Sequence, residues 1–252
     1  MLEKNYYKDN ECWFLTLTYA DEYLPSATYE TEDKKKYKGI SLRKKDLQNF
    51  WKRLRKHYKC KCKYLAAGEY GTRTMRPHYH AIVFGLPIDT TNLKYYGKGS
   101  NGDSLWTNKE LNQVWGKGQV IIGTVTFKSV SYVVRYTIKK WKHKDEGLNK
   151  ILGREQEFLC ISQGLAKRYY TDHKKDLVSA DSVITPEGLK PLPRRFLEEI
   201  KKEDEQLYKD ITYNHKKNAE TAEKQKQMQT DKCPEERRIT EENNKMFKDI
   251  RR

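Results

Sequence analysis

Hydrophobic and polar positions follow two different patterns along the first 160 residues, and these patterns predict the secondary structure. Runs of β-branched and aromatic residues bounded by turn residues predict four strands: 13–19, 63–71, 78–85 and 119–127. Apolar residues at helical spacing predict three helices: 42–57, 108–118 and 129–142. With "EFLCIS" (157–162) as a last strand, this order predicts an α+β fold with a central antiparallel sheet of about five strands and helices on one face.

The remaining segments are more polar and predict less regular structure. The stretches 26–39 and 87–104 are rich in charged, glycine and turn-forming residues, so they are expected to be loops. After the Pro-containing segment "KPLPRRF", residues 197–252 are almost all charged and helix-forming, which predicts either a long solvated helix or partial disorder. We therefore expect a folded domain at 1–180 and a linker with a charged helical tail at 181–252.

Charge changes this picture by indicating a partner. The chain has 252 residues and a net charge of +16. Residues 51–150 alone carry 20 Lys and Arg against 6 Asp and Glu, whereas the other segments are nearly balanced. A basic excess in the middle of the chain predicts an anionic partner such as nucleic acid, rather than a charge that only keeps the protein soluble.

Cysteine usage and the N-terminus bear on the cellular compartment. The five cysteines are odd in number and contain no CxxC pair, which is typical of reduced thiols in a cytoplasm. The first residues, "MLEKNYYKDNECWF", contain neither a signal core nor a membrane-spanning segment. We expect a cytoplasmic protein with no membrane partner.

The stretch "RPHYHAIVFG" contains the first candidate chemical site. On a strand, His78 and His80 project from the same face about 7 Å apart, so they form a potential chelating pair. If the strands on either side pair around a turn near Thr74, Glu69 falls about opposite Tyr79, and a one-residue stagger places its carboxylate beside one histidine. Such a set can hold a divalent cation, Mg²⁺ or Mn²⁺, with positions open for a phosphate oxygen. The alternatives are two core histidines and a Glu69 that faces water.

The stretch "YVVRYTIKK" contains the second candidate site. At about 100° per residue, Tyr132, Tyr136 and Lys139 share one side of the predicted helix, opposite its apolar residues. Two phenols and an ammonium on an open helix face are a potential nucleophile set, because a nearby cation or metal favours the phenolate. The alternative is a pair of packing tyrosines. Five further cations are candidate phosphate contacts: Arg73, Arg76, Lys128, Arg135 and Lys140.

Three segments together resemble a known family: "FLTLTYADEYLP", "GEYG…RPHYHAIVFG" and "YVVRYTIKK". In this order and spacing they are similar to the motifs of HUH endonucleases that initiate rolling-circle replication. They most resemble the replication initiators of microviruses, especially the gokushovirus branch. The resemblance covers about residues 12–175 and implies a ferredoxin-like sheet. It also implies His78, His80 and Glu69 as metal ligands, Tyr132 and Tyr136 as nucleophiles, and Lys139 as a charge-stabilising group.

The resemblance further implies a reaction and partners. One tyrosine attacks a phosphate of a single-stranded DNA origin, which leaves a 5′-phosphotyrosine and a free 3′-OH for host polymerase and helicase to use in the bacterial cytoplasm. The second tyrosine accepts the strand end later. Two other functions fit the sequence: a non-catalytic, basic domain that binds single-stranded nucleic acid, and another HUH enzyme, either a relaxase or a transposase.

Overall fold

The computed structural model of the chain describes five segments: residues 1–30, 34–99, 102–141, 149–185 and 188–230. Within them, side chains are not described for Tyr37 and for residues 135–141 and 225–230. The chain divides into two compact units, Met1–Tyr169 and Tyr170–Arg252. The assignment of an endonuclease domain to residues 1–180 stays a prediction.

The described part of the first unit contains nine strands and three helices. The strands are β1 (Cys12–Tyr19), β2 (Ser26–Glu30), β3 (Lys36–Ile40), β4 (Lys63–Tyr70), β5 (Pro77–Phe84), β6 (Lys94–Lys98), β7 (Ser104–Thr107), β8 (Gly118–Thr124) and β9 (Phe158–Ile161). The helices are α1 (Lys44–Tyr58), α2 (Lys109–Trp115) and α3 (Phe127–Trp141). Short 3-10 turns lie at Leu2–Tyr6, Asp9–Glu11, Asp21–Tyr23 and Thr90–Asn92.

Seven of these strands form one antiparallel sheet in the order β6-β7-β8-β1-β5-β4-β9. The α+β fold with a central antiparallel sheet is therefore confirmed, with seven strands where about five were expected. The two strands that bear the predicted metal ligands, β4 and β5, are neighbours, and β1 lies on the other side of β5. The ladder places Glu69 directly opposite His78 and Thr16 directly opposite His80.

Helices pack on both faces of the sheet, so the expectation of helices on one face is wrong. Tyr79, Ala81 and Val83 of β5 belong to a buried cluster that contains the apolar residues of α1 and α2. Ile82 and Phe84, which alternate with them, pack instead with Val133 of α3. Because side chains alternate along a strand, α3 covers the face that carries His78 and His80. Helix periodicity alone does not specify which face a helix covers.

Two segments expected to be loops contain strands. β2 and β3 form a separate hairpin within 26–39, and β6 and β7 extend the main sheet within 87–104. The sequence signal is weak because β6 is an edge strand with exposed Tyr95 and Tyr96, so it shows no alternation of buried and exposed residues. A bulge between Tyr95 and Gly97 further interrupts its pattern.

Tyr79 explains why a tyrosine separates the two histidines. Its side chain faces the core opposite the histidines, and it is fully buried. The hydroxyl accepts a hydrogen bond from the Arg43 backbone N–H (3.1 Å) and lies 2.7 Å from the Tyr19 hydroxyl. The same strand residue therefore fixes the start of α1 against the sheet while its neighbours face the candidate site.

We expect Tyr79→Phe to destabilise the fold by about 1–3 kcal/mol without removing any side chain from the candidate site. The substitution leaves the buried Arg43 N–H and the Tyr19 hydroxyl without their shared partner, which costs the desolvation of those groups. Urea unfolding measures this loss. A variant as stable as the wild type would show that the hydrogen-bond network contributes nothing net.

The second unit is small and largely helical in its described part. Helix α4 (Lys167–Ala180) leads into it, followed by a hairpin of β10 (Ser182–Thr185) and β11 (Gly188–Pro191), and by α5 (Arg194–Glu203) and α6 (Glu205–Thr230). Tyr170, Phe196 and Ile200 are buried there. The expected charged helix is thus present over 205–230, whereas residues 231–252 lie outside the described residues. Within the described chain, no helix is both long and apolar enough to cross a bilayer.

Candidate active site

Three side chains of β4 and β5 meet on the sheet face covered by α3. The Oε1 atom of Glu69 lies 3.0 Å from Nε2 of His78 and 2.9 Å from Nε2 of His80. The three potential ligand atoms all lie within 4.8 Å of one another. The strand register is the staggered one, with Gly68 opposite Tyr79, so the carboxylate reaches both histidines instead of one.

Hydrogen bonds on the far side of each imidazole ring orient the two histidines. Nδ1 of His78 lies 3.1 Å from the Arg76 carbonyl oxygen, which can only accept, so this nitrogen carries the proton. Nε2 of neutral His78 then presents a lone pair to the Glu69 carboxylate. Two acceptors 3.0 Å apart repel each other unless a proton or a cation lies between them. The donor set therefore fits a divalent cation, with the outer ring nitrogens held as in known metal sites.

The protonation states of the buried members favour metal binding. Burial disfavours the ionised carboxyl of Glu69, but hydrogen bonds and charges from His78 and His80 outweigh it and lower the pKa of Glu69 to about 2. Burial lowers the pKa of His80, although Glu69 opposes this shift. A carboxylate and a neutral imidazole are the forms that bind metal, and both are present at neutral pH.

Thr16 of β1 is part of the site although its role was not apparent from the sequence. Its Oγ1 lies 2.9 Å from Nδ1 of His80, and its position opposite His80 in the ladder places it there. The signal available in the sequence was alternation: Thr16 and Thr18 occupy polar positions between the core residues of β1. Only the pairing of β1 with β5 shows which threonine contacts a histidine.

We expect Thr16→Val to lower the affinity for Mn²⁺ by about tenfold, because the hydrogen bond that orients His80 is lost while the side-chain shape is kept. Isothermal titration calorimetry with Mn²⁺ measures the change. Thr18→Val is the matched control, since its hydroxyl donates to the Gln119 carbonyl oxygen instead (3.2 Å). Equal affinities for the two variants would exclude an orienting role for Thr16.

Helix α3 brings Tyr132 to the same site. The Tyr132 ring lies 5.2 Å from the His80 ring, edge to face, and its residue is 38% exposed. Phe14 of β1 stacks on His80 at 5.5 Å and meets the Tyr132 ring at 6.4 Å. At the start of the helix, the Ser129 N–H donates to Thr126 Oγ1, and buried Val133 anchors the helix on the sheet. A phenol thus stands beside the carboxylate–histidine cluster.

The other predicted residues of α3 are placed by their backbone alone. Tyr136 and Lys139 lie one and two turns after Tyr132 on the same helix, and Arg135 and Lys140 flank them. The side chains of all four lie outside the described residues. Their assigned roles stay predictions.

The remaining predicted DNA contacts differ in their surroundings. Lys128 is exposed and lines a pocket next to His80, and Arg73 is exposed in the turn between β4 and β5. Arg76 donates to the Tyr19 carbonyl oxygen and pairs with Asp21, both at 2.7 Å. Part of the hydrogen-bonding capacity of Arg76 therefore fixes the β4–β5 turn against the end of β1.

Comparisons with known proteins agree with this arrangement. Residues 12–141, just over half of the chain, match the model of a family described as replication-associated protein ORF2. The chain is 35% identical to the replication-associated protein ORF2 of Spiroplasma virus 4, in a match that covers 79% of this chain and 61% of the relative.

Two further curated relatives are similar. The replication-associated protein VP4 of Bdellovibrio phage phiMH2K is 29% identical over 78% of this chain and 61% of the relative. The replication-associated protein ORF4 of Chlamydia phage 1 is 30% identical over 59% of this chain and 45% of the relative. The matches thus span at most about three fifths of the length of these relatives. No solved structure matches the chain.

Proposed function

Because the chain belongs to the replication-associated protein ORF2 family, we propose that it initiates rolling-circle replication of a phage genome by nicking single-stranded DNA at an origin. The observation that carries this proposal is the position of the Tyr132 ring 5.2 Å from His80, a member of the Glu69–His78–His80 cluster. A nucleophile and a set of metal-ligand atoms within one short distance are what phosphodiester transfer requires.

The three clustered residues hold a divalent cation, Mg²⁺ or Mn²⁺, which polarises the scissile phosphate when bound. Glu69 supplies the negative charge of the site, and the two imidazoles supply neutral nitrogen ligands. Thr16 and the Arg76 carbonyl hold the rings so that both Nε2 atoms face the carboxylate. Nitrogen ligands tolerate Mn²⁺ and other transition metals as well as Mg²⁺.

Tyr132 acts as a nucleophile in this proposal. Its phenol loses a proton, the oxygen bonds to phosphorus, and the bond from phosphorus to the 3′ oxygen breaks. The 3′ oxygen takes up a proton, so the products are a 5′-phosphotyrosine and a free 3′-OH. The energy of the phosphodiester bond is kept in the protein–DNA link and is available for rejoining.

Tyr136 and Lys139 complete the cycle by resemblance to the family. Tyr136 accepts the strand end in the second cleavage, so that a displaced circle is cut and rejoined. Lys139 stabilises negative charge on the phenolate or the phosphate. The separation of Tyr132 and Tyr136 by four residues on α3 supports this division of roles.

Single-stranded DNA binds along the basic middle of the chain. Lys128, beside the pocket that His80 lines, and Arg73, in the exposed turn after β4, are the described candidates for phosphate contacts. Arg135 and Lys140 of α3 and the partly engaged Arg76 complete the proposed set. The excess of positive charge over 51–150 supports a steep dependence of binding on salt.

The free 3′-OH determines the partners that the reaction needs. A polymerase of the host extends it and a helicase separates the strands, so we place the protein in the cytoplasm of a bacterial host. The paired tyrosine positions favour an initiator over a transposase with one tyrosine, and relaxases with several tyrosines are the remaining HUH alternative.

Incubation with single-stranded circular DNA and Mn²⁺, followed by denaturing electrophoresis, tests the proposal. The expected result is a covalent protein–DNA adduct that requires the metal. A protein that is retained by DNA in a salt-dependent manner but forms no adduct would be a non-catalytic binding domain.

A further inference from the structure

A pocket of about 230 Å³ lies next to the carboxylate–histidine cluster, on the same face of the sheet. It extends across four neighbouring strands, from Leu105 of β7 through Gly123 of β8 and Phe14 of β1 to His80 of β5. The first turns of α3 border it through Tyr132. A nucleotide whose phosphate lies at the cluster therefore has space for its base toward β7.

Gly123 keeps this space open. The residue lies opposite Phe14 in the middle of the β1–β8 ladder, and its backbone does not adopt the left-handed conformation that favours glycine. A Cβ atom at this position would lie 3.4 Å from Leu105 Cδ2 and 3.5 Å from Phe14 Cδ1, so a larger side chain would enter the gap between them. A glycine inside a strand weakens the sheet and often marks a close approach of a ligand.

The chemistry of the lining fits a base better than a phosphate. Phe14, Leu105 and Ile121 supply apolar surface, which suits the face of an aromatic ring. Asp103 adds an acidic side chain in a segment of the chain that is otherwise strongly basic. A carboxylate repels a phosphate, whereas it accepts hydrogen bonds from the exocyclic amino group of a base.

We propose that this pocket binds one unpaired base with an exocyclic amino group, next to the phosphate that is cut, and that Asp103 reads this amino group. The inference rests on the proposed function, because it takes single-stranded DNA as the substrate. It adds a determinant of origin sequence to the chain. Thymine, which has a keto group in place of the amino group, is disfavoured.

Binding of two matched oligonucleotides tests the pocket without cleavage. Oligodeoxycytidine and oligodeoxyuridine of equal length differ in the C4 amino group against a keto group, and fluorescence anisotropy in EDTA gives both affinities. We expect the wild type to bind oligodeoxycytidine about tenfold more tightly. Asp103→Ala should lose this preference through weaker binding of oligodeoxycytidine, with the affinity for oligodeoxyuridine unchanged. No preference in the wild type, or the same preference in Asp103→Ala, would overturn the proposal.

A second variant fills the pocket instead of removing its polar group. Gly123→Val adds a β-branched side chain that suits a strand and blocks the gap between Phe14 and Leu105. We expect it to fold, as checked by thermal unfolding, and to bind both oligonucleotides equally. Gly123→Ala is the smaller matched change and should retain part of the preference. A full preference in Gly123→Val would place the recognised base elsewhere.

The outcomes separate this inference from the proposed function. Loss of base preference concerns the pocket alone, because EDTA prevents any metal-dependent step. If the wild type forms the covalent adduct with circular DNA but shows no base preference, only the pocket proposal fails. If it prefers oligodeoxycytidine but forms no adduct, only the nicking proposal fails. An Asp103→Ala variant that binds both oligonucleotides more tightly would show that the carboxylate merely repels phosphate.

Discussion

Alanine at His78 or His80 is expected to lower the rate of DNA nicking by about 10³-fold or more, while the affinity for single-stranded DNA stays close to that of the wild type. Each substitution removes one of the nitrogen ligands that lie about 3 Å from the Glu69 carboxylate. Loss of metal polarisation at the phosphate costs several kcal/mol of transition-state stabilisation, whereas binding depends mainly on positive surface charge. Single-turnover nicking in a metal-buffered assay, paired with an anisotropy titration, measures both quantities.

Tyr79→Phe is the control for this experiment. Tyr79 lies between the two histidines in the chain, but its side chain faces the opposite side of the sheet. Its variant should nick at the wild-type rate under conditions where it is folded. Normal nicking by both alanine variants would reject the metal cluster as part of the reaction. Glu69→Ala should weaken Mn²⁺ binding, and an unchanged titration would show that the third ligand lies elsewhere.

The second large effect is expected at the tyrosines of α3. Tyr132→Phe combined with Tyr136→Phe should form no covalent adduct with an origin oligonucleotide, because both candidate nucleophilic hydroxyls are removed. At Tyr132, phenylalanine keeps the ring that packs against Phe14 and His80, so the fold should be retained. Each single variant should still form some adduct. Neither single variant should complete the coupled cutting and rejoining of a displaced circle.

Mass spectrometry of the nucleotide-linked peptide decides the matter. In the single variants, the adduct should map to the tyrosine that is left on α3. An adduct that persists in the double variant, or one on a tyrosine outside 132–136, would show that another residue is the nucleophile. Tyr95→Phe, at an exposed edge-strand tyrosine, is a suitable control, since it removes a hydroxyl that does not line the pocket.

The two sets of variants also distinguish the rival functions. A non-catalytic binding domain predicts no adduct for any variant and equal salt dependence for all of them. A nicking enzyme predicts that the histidine and tyrosine variants lose chemistry while binding is preserved. Retained binding is therefore informative only together with the adduct assay.

Much of the candidate site is determined by local sequence pattern. His78 and His80 must share a face because strand residues two apart always do, whatever the strand pairs with. The strands β1, β4, β5 and β8 and the helices α1, α2 and α3 follow from residue type and periodicity, within a few residues of their observed bounds. The position of α3 with Val133 buried and Tyr132 partly exposed agrees with its helical pattern.

Tertiary structure alone decided which of these elements meet. The register of β4 and β5 depends on the turn between them, and a shift of one residue moves Glu69 from opposite Tyr79 to opposite His78. Thr16 contacts His80 only because β1 pairs with β5, and the pocket exists only because β7 and β8 continue the sheet. The choice of sheet face for α3 likewise results from packing between residues distant in sequence. Long-range pairing is set by the whole core, which no local period encodes.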